Sequence, residues 1–399
     1  MTFIKLAENQ SIPFNAKQEL PHKQAFSPLK GRYFNAGAQH PVSRGSVAAI
    51  EDYINYKSFQ EANDYDPVDM RHKVKCQFAE LINAKTEEVS FVPSTTAGEN
   101  LIIQALELVS NGGRVVTDDL HYFGSYQIYG ELKKRGVDVI TLRHKDGKID
   151  LAQYEDAITD QTSLVAVSGV SMFNGFMHDL KALSKIAHDK GALIYVDLIQ
   201  LCGAVPFDVK QAGVDFCACA SFKWLMADQG IGFIYVAGEA LSKIKRPWFG
   251  KRQVCDLKTH VFPGDQDLDN KEAYQYQLAQ DADGYFSLWS EPRIVIAQLH
   301  YSLAYLLEAE VARIAAYRQP MVDYLQKEIP LLGYKSLSPC PNLAPIVAFE
   351  CENANKYLGP IFEKADIHAS LYKGHFRIGL SVYNDMEDVK YLVETLKSI

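Results

Sequence analysis

From about residue 70 to residue 245 the chain alternates short apolar runs with amphipathic stretches, and no other feature narrows its fold so far. The runs are EVSFVP (88–93), RVVTDD (114–119), VDVITL (137–142), SLVAVSGVS (163–171), ALIYVD (192–197), VDFCACAS (214–221) and GIGFIYV (230–236). Helical patterns such as AGENLIIQALELVS, YQIYGELKKRG and HDLKALSKIAHDKG fall between them. Strands that alternate with helices predict a mostly parallel sheet wrapped on both faces, an α/β fold. Residues 1–45 read as an extended, turn-rich segment that feeds a helix near 46–60, and the large domain is expected over 46–250. Residues 251–292 interrupt the rhythm with aromatic and acidic loops and predict an insert. A long helix from Pro292 to about Lys327, the runs APIVAFE, HASLY and HFRIGLS, and a closing helix MEDVKYLVETLKSI predict a smaller α+β domain over 293–399.

Composition narrows the class. With 47% hydrophobic and 23% charged residues the chain reads as an ordinary globular protein, and a net charge of -8 speaks against a nucleic-acid partner or a basic membrane patch. The N-terminal MTFIKLAENQSIPFNAK lacks an apolar core of signal-peptide length, and no apolar run approaches a membrane span, so a cytoplasmic location is expected. Seven scattered cysteines, an odd number, fit a reducing compartment better than a disulfide framework. No His/Cys cluster has zinc spacing, there is no P-loop, and no G-x-G-x-x-G follows an early strand, so a nucleotide-dependent dehydrogenase is not expected.

In open α/β sheets ligands gather beyond the carboxyl ends of the strands. Strand 88–93 ends in PSTTAGEN, where Ser94, Thr95 and Thr96 lead into a helix. Such a terminus suits a phosphate, although a plain Ser/Thr cap explains the same residues. Strand 192–197 ends in Asp197, with Gln200 just beyond; a carboxylate there needs a partner, either a helix terminus or a cation. The next strand ends in Ser221, with Lys223 between Phe222 and Trp224. Its context is that of a lysine whose stem packs on aromatic rings, or of a Schiff-base lysine whose amine is made nucleophilic by desolvation.

The ordered set STTAGENL, HDLKALSKIAHDKGALIYVDLIQLCG, DFCACASFKW and FRIGLSVYN resembles the fold-type I pyridoxal phosphate enzymes of the class V aminotransferase family, over nearly the whole chain. The resemblance implies pyridoxal 5'-phosphate as cofactor, with Lys223 as the Schiff-base lysine that later moves protons at Cα. It further implies Asp197 at the pyridinium nitrogen, Gln200 at the phenolic oxygen, and Thr95, Thr96 and Ser221 at the phosphate. Tyr122 falls where the family stacks an aromatic ring on the cofactor, with His121 and Phe123 as close rivals. Arg377 matches the arginine that clamps the substrate α-carboxylate. A homodimer is implied, with Ser290 of the insert reaching the neighbour's phosphate. Two departures stand out. Phe222 occupies a position where many relatives have histidine, which removes a phosphate contact. The stretch ADIHASLYKGHFR before Arg377 presents Tyr372, Lys373 and His375 but no cysteine where desulfurases of this family carry the persulfide-forming one; Cys340 and Cys351 match no such motif. The expected activity is therefore that of an aminotransferase or a β-eliminating C–S lyase on an α-amino acid, with an epimerase or a kynureninase-like hydrolase as alternatives.

Overall fold

The computed structural model describes residues 15–26, 29, 31–59, 66–257 and 276–399. Seven strands form the central sheet: β1 (Val89–Val92), β2 (Arg114–Asp118), β3 (Asp138–Leu142), β4 (Thr162–Ser168), β5 (Leu193–Asp197), β6 (Phe216–Ala220) and β7 (Gly232–Val236). Their order across the sheet is β1-β7-β6-β5-β4-β2-β3. Only β7 runs against its neighbours; the remaining pairs are parallel. The apolar runs are explained by burial on both faces. Leu164, Ala166, Leu193, Tyr195, Phe216 and Ala218 lie in the cluster on one face, while Val165, Val167, Ile194, Val196, Cys217 and Cys219 lie in that on the other. A strand sandwiched between two helical layers has no solvent side to mark by polar residues.

Helices Thr95–Ala105, Ser125–Lys134 and Leu180–Asp189 fall where their periodicity places them. Several helices escaped the sequence reading, the longest of them Pro67–Leu81. Pro67–Leu81 opens with Asp66, whose side chain accepts from the Val68 N–H, and Pro67 takes the first turn. This acid–proline start is a standard helix signal. Phe78 of this helix stacks on Phe233 of β7 at 3.9 Å between ring centroids.

The long helix expected from Pro292 to Lys327 is two helices, Arg293–Ala309 and Val311–Glu328, separated at Glu310, whose φ is +60°. Pro320 lies inside the second without ending it. The break falls where the packing partner changes. Ile296, Leu299, Leu303 and Leu306 join the core beneath the large sheet, whereas Met321, Val322 and Leu325 join that of the small domain. No glycine or proline marks the spot, so local signals could not reveal it.

The small domain carries an antiparallel sheet of β8 (Ile346–Glu350), β9 (Ser370–Leu371) and β10 (His375–Gly379), in the order β8-β10-β9, with helix Met386–Lys397 against it. The described part of the N-terminal segment belongs here as well: Arg32–Tyr33 pairs in parallel with Ile367–His368, and Asn35 bridges Gly379. In the insert, Val254–Leu257 pairs with Tyr276–Leu278; residues 258–275 of that expected insert lie outside the described residues.

Candidate active site

Ser168 and Asp197 lie side by side at the carboxyl ends of β4 and β5, and Asp197 is flanked on its other side by Ala218 in the middle of β6. Lys223 follows on the loop that leaves β6. That loop is tightly wound: Ala227 N–H donates to Ser221 O, Met226 N–H donates to Lys223 O, and Met226 has a φ of +60°. Both neighbours of Lys223 are pinned. The Phe222 carbonyl accepts from His40 N–H at 3.0 Å, and the Trp224 indole N–H donates to Gln200 Oε1 at 2.8 Å. Gln200 Nε2 donates in turn to Gly37 O at 2.8 Å. Gly203, with a φ of +86°, allows the backbone after Asp197 to press on Trp224, because a Cβ there would lie 2.4 Å from Trp224 O. The lysine is fixed by its surroundings.

Lys223 is 7% exposed, and its Nζ makes no hydrogen bond or ion pair among the described residues; the Phe222 ring centroid is 5.6 Å away. Burial lowers its pKa to about 8, the Asp197 charge resists this, and Arg377 adds to it. Asp197 shows the opposite displacement. Burial lifts its carboxyl to about 6, against His121, the Ile199 N–H at 2.8 Å and Lys223. Arg377, on β10, is 2% exposed and has no carboxylate within ion-pair distance among the described residues. Its Nη1 donates to Met172 O at 2.6 Å and its Nη2 to Ser370 Oγ at 3.1 Å. Burial lowers its pKa, and Tyr372, whose ring centroid lies 5.7 Å from Cζ, opposes this. No surface salt bridge among the described residues accounts for this arginine. A buried guanidinium with no counter-ion among the described residues, close enough to Lys223 to depress its pKa, is suited to receive an anion.

The helix Thr95–Ala105 points its N-terminus at the same region. Ser94 is a cap, its Oγ accepting from Ala97 N–H at 3.1 Å, while the N–H groups of Thr95 and Thr96 have no acceptor among the described residues. Thr95 Oγ1 accepts from Ala220 N–H at 3.0 Å, which ties this helix to the end of β6; Thr96 is exposed. Capping by Ser94 therefore leaves the N–H groups of Thr95 and Thr96 available to an anion. Ser221 differs from expectation in detail. Its buried hydroxyl faces the carbonyls of Asp228 and Ile231, so its one proton is engaged by the loop and a phosphate contact would require it to turn. Of the three aromatic candidates, His121 is buried, Tyr122 is half-buried against Gly124, and Phe123 is 58% exposed. Ser290 is exposed on the insert. Among the described residues no group of three His, Cys, Asp or Glu is arranged to hold a metal ion.

Sequence reasoning missed Glu99. It is buried, and it accepts from Tyr129 OH at 2.6 Å, from Ser125 Oγ at 2.7 Å and from His121 Nε2 at 3.2 Å. Its position was a readable signal: Glu99 lies on the same helical face as Thr95 and Ile102, where only a satisfied acid is tolerated.

The donor set fits pyridoxal phosphate: a buried amine with no partner among the described residues, a buried carboxylate with one backbone donor, and free N–H groups at a helix terminus. The comparisons with known proteins agree. An uncharacterized aminotransferase, YcbU, of Bacillus subtilis is 32% identical over 251 residues, 62% of this chain and 65% of that relative, so the match spans just under two thirds of its length. A probable cysteine desulfurase of Methanothermobacter thermautotrophicus is 24% identical over 392 residues, covering 92% of this chain and 94% of the other. The solved cystine C-S lyase C-DES, in complex with its reaction product cysteine persulfide, superimposes with a TM-score of 0.80 at 18% identity, covering 92% of this chain and 97% of that one. A variant of that lyase has been solved with glycine covalently linked to the pyridoxal phosphate cofactor. Residues 68–392 match the Aminotransferase class-V family, and the chain belongs to that family of pyridoxal phosphate-dependent enzymes.

Proposed function

We propose that the protein acts at Cα or Cβ of an α-amino acid, by amino transfer or by β-elimination of the C–S lyase type, without a persulfide cysteine. The observation that carries this reading is the pairing of a buried Lys223 with a buried Arg377 that has no carboxylate partner among the described residues. Arg377 holds the α-carboxylate and so orients Cα toward the lysine. With its pKa brought to about 8, roughly a tenth of the Lys223 amine is neutral at pH 7, far more than for an ordinary lysine, and it can take a proton from Cα or return it. With pyridoxal phosphate bound, Asp197 would set the charge at the ring nitrogen, Gln200 would be offered to the phenolic oxygen through its remaining amide N–H, Thr95 and Thr96 would present their N–H groups to the phosphate, and Tyr122 would lie against the ring. Bound pyridoxal phosphate supplies the electron sink that stabilises negative charge at Cα.

The absence of a persulfide step is supported by position. Cys351 continues β8 on the face that packs into the small-domain core, whereas His375 and Arg377 share the other face of the paired strand. Cys340 lies in an exposed loop. The loop before Arg377 instead stacks Tyr372 on His375 at 4.4 Å. The names of the relatives, aminotransferase and C-S lyase among them, support the two reaction types without choosing between them.

The test is incubation of the pure, cofactor-loaded protein with a panel of amino acids, with and without 2-oxo acids. Amino transfer yields a new amino acid from the 2-oxo acid, and elimination yields a 2-oxo acid with ammonia. Exchange of the Cα hydrogen for deuterium with no other product would support the epimerase alternative and overturn both. We further propose a homodimer in which Ser290 reaches the partner's phosphate site, supported by the exposed Trp248 and Phe249, the first of which packs edge-on against Trp289 next to Ser290. Sedimentation showing a fully active monomer would refute it. The location we propose is the cytoplasm, where seven free cysteines remain reduced.

A further inference from the structure

We propose that Glu99 is a positioning residue whose carboxylate clamps the buried His121 ring against Ser168 and so keeps a fixed cation beside Asp197. The geometry is closed on every side. His121 Nε2 lies 3.2 Å from Glu99 Oε1 and its Nδ1 lies 2.8 Å from Ser168 Oγ. Ser168 is the direct cross-strand neighbour of Asp197. The ring is 4% exposed and Glu99 is 2% exposed. Glu99 is itself held by the hydroxyls of Ser125 and Tyr129, and a carboxylate can only accept, so its bond to His121 requires a proton on Nε2.

The groups that face His121 are Glu99 from helix Thr95–Ala105, Tyr129 from helix Ser125–Lys134, Asp118 from β2, Ser168 from β4 and Asp197 from β5. Asp118 is otherwise engaged: it accepts from Tyr154 OH at 2.6 Å, from His178 Nε2 at 3.2 Å and from Leu120 N–H at 2.7 Å. Glu99 is therefore the carboxylate bonded to the ring. Burial alone would lower the His121 pKa; hydrogen bonding and charge from Glu99, with Asp197 and Asp118 behind it, outweigh burial and raise it. The second proton then sits on Nδ1, with Ser168 Oγ as acceptor. The consequence falls on Asp197, where His121 is the largest influence opposing the upward push of burial. Lys223 also opposes it, but Lys223 is the group the cofactor engages. His121 remains as the standing counter-charge, which keeps Asp197 ionised for the ring nitrogen. This inference rests on Asp197 being the partner of the cofactor ring; its first readout does not.

The experiment is a pH titration of histidine Cε1–H resonances in selectively labelled, cofactor-free protein, with His121 identified from the spectrum of His121→Gln. In the unmodified protein the His121 midpoint should lie above the ordinary imidazole value of about 6.5. In Glu99→Gln it should fall by at least about one pH unit, a tenfold loss of proton affinity. In Tyr129→Phe, which leaves the Glu99–His121 bond in place, the fall should be smaller. An unmodified midpoint at or below the ordinary value, or one that Glu99→Gln leaves unchanged, would overturn the proposal. Should Glu99→Gln not fold, the unmodified midpoint decides alone. Titration with pyridoxal phosphate, read by absorbance, should show weaker binding in Glu99→Gln. A shifted His121 midpoint with unchanged cofactor affinity would overturn the link to Asp197.

Discussion

Two buried groups of charges in this molecule are built on opposite plans. Where the insert docks on helix Pro67–Leu81, three cations each have a carboxylate. Lys75 meets Asp283 at 2.7 Å, Arg71 meets Glu291 at 3.0 Å and Asp283 at 3.5 Å, and Arg252 meets Glu291 at 3.3 Å. Ser90 adds a hydrogen bond to Asp283 at 2.6 Å. At Asp283 burial would raise the pKa, but Lys75 and Arg71 outweigh it and the carboxyl is held below its ordinary value; at Arg71 burial is outweighed by Asp283 and Glu291. Around Lys223 the signs reverse. Lysine and arginine are pushed down and aspartate is pushed up, each with burial as the leading cause. The first cluster has settled its charges internally, so it serves as an anchor. The second leaves them partly unsettled, and groups held in that state are poised for an outside partner.

The largest effect expected from this contrast is on stability at the anchor. Asp283→Ala strands Lys75, which is buried, and removes one partner of Arg71. Breaking a buried pair from one side costs roughly 3–5 kcal/mol, and urea unfolding would measure it. A loss below about 1 kcal/mol, the size of an exposed pair, would erase the distinction between the two clusters.

The next effect has the opposite direction. In the unfolded chain Lys223 keeps its proton up to its ordinary value, while in the folded protein it does so only to about 8. Between those values the unfolded state binds more protons, so stability should rise with pH there, and below pH 8 the full cost should apply. At about 1.4 kcal/mol per pH unit this is at most on the order of 3 kcal/mol. Cofactor-free Lys223→Met should therefore be more stable than the parent at pH 7, and the gap should close as pH approaches 10. Equal stability at pH 7, or a gap indifferent to pH, would show that the lysine is settled in its pocket.

The same contrast explains what was legible in the sequence. All seven strands of the large sheet could be read, because burial on both faces leaves unbroken apolar runs. Lys223, Asp197 and Arg377 could be located because strand ends and motif order mark them. The settling of charges could not be read. Whether Ser221 turns its hydroxyl toward a ligand or toward Asp228 and Ile231 depends on how the loop winds. Glu99 meets His121 across 22 residues, and Arg71 meets Glu291 across 220, through the packing of separate elements. The break at Glu310 is set by which core each helix enters.

A smaller effect is expected at Arg377. Its guanidinium has lost water and, among the described residues, gained only Met172 O, Ser370 Oγ and the Tyr372 ring in exchange. Removing its contact to a substrate carboxylate should cost about 1.5–3 kcal/mol per charged hydrogen bond. Arg377→Ala should thus raise KM by about tenfold or more while the cofactor remains bound. An unchanged KM would mean that the arginine is structural.

The smallest effect, and the one that separates this chain's proposed chemistry from that of its desulfurase relatives, is expected at the cysteines. Cys351 N–H donates to Gly374 O at 3.1 Å, so its backbone lies beside the loop that leads to Arg377. Its side chain does not share that neighbourhood, because it packs with Tyr334 against the small-domain core and burial raises its thiol pKa. A nucleophilic sulfur needs the reverse, a lowered pKa and an open approach. Cys340 is open but lies in a surface loop, where a substitution costs roughly 0.5 kcal/mol or less. Cys351→Ser and Cys340→Ser should accordingly keep the turnover of the parent on whichever amino acid proves to be the substrate, and intact-mass measurement after turnover should find no sulfur added to the protein. Collapse of turnover in either variant with the cofactor still bound, or a persulfide on the parent protein, would restore a desulfurase mechanism.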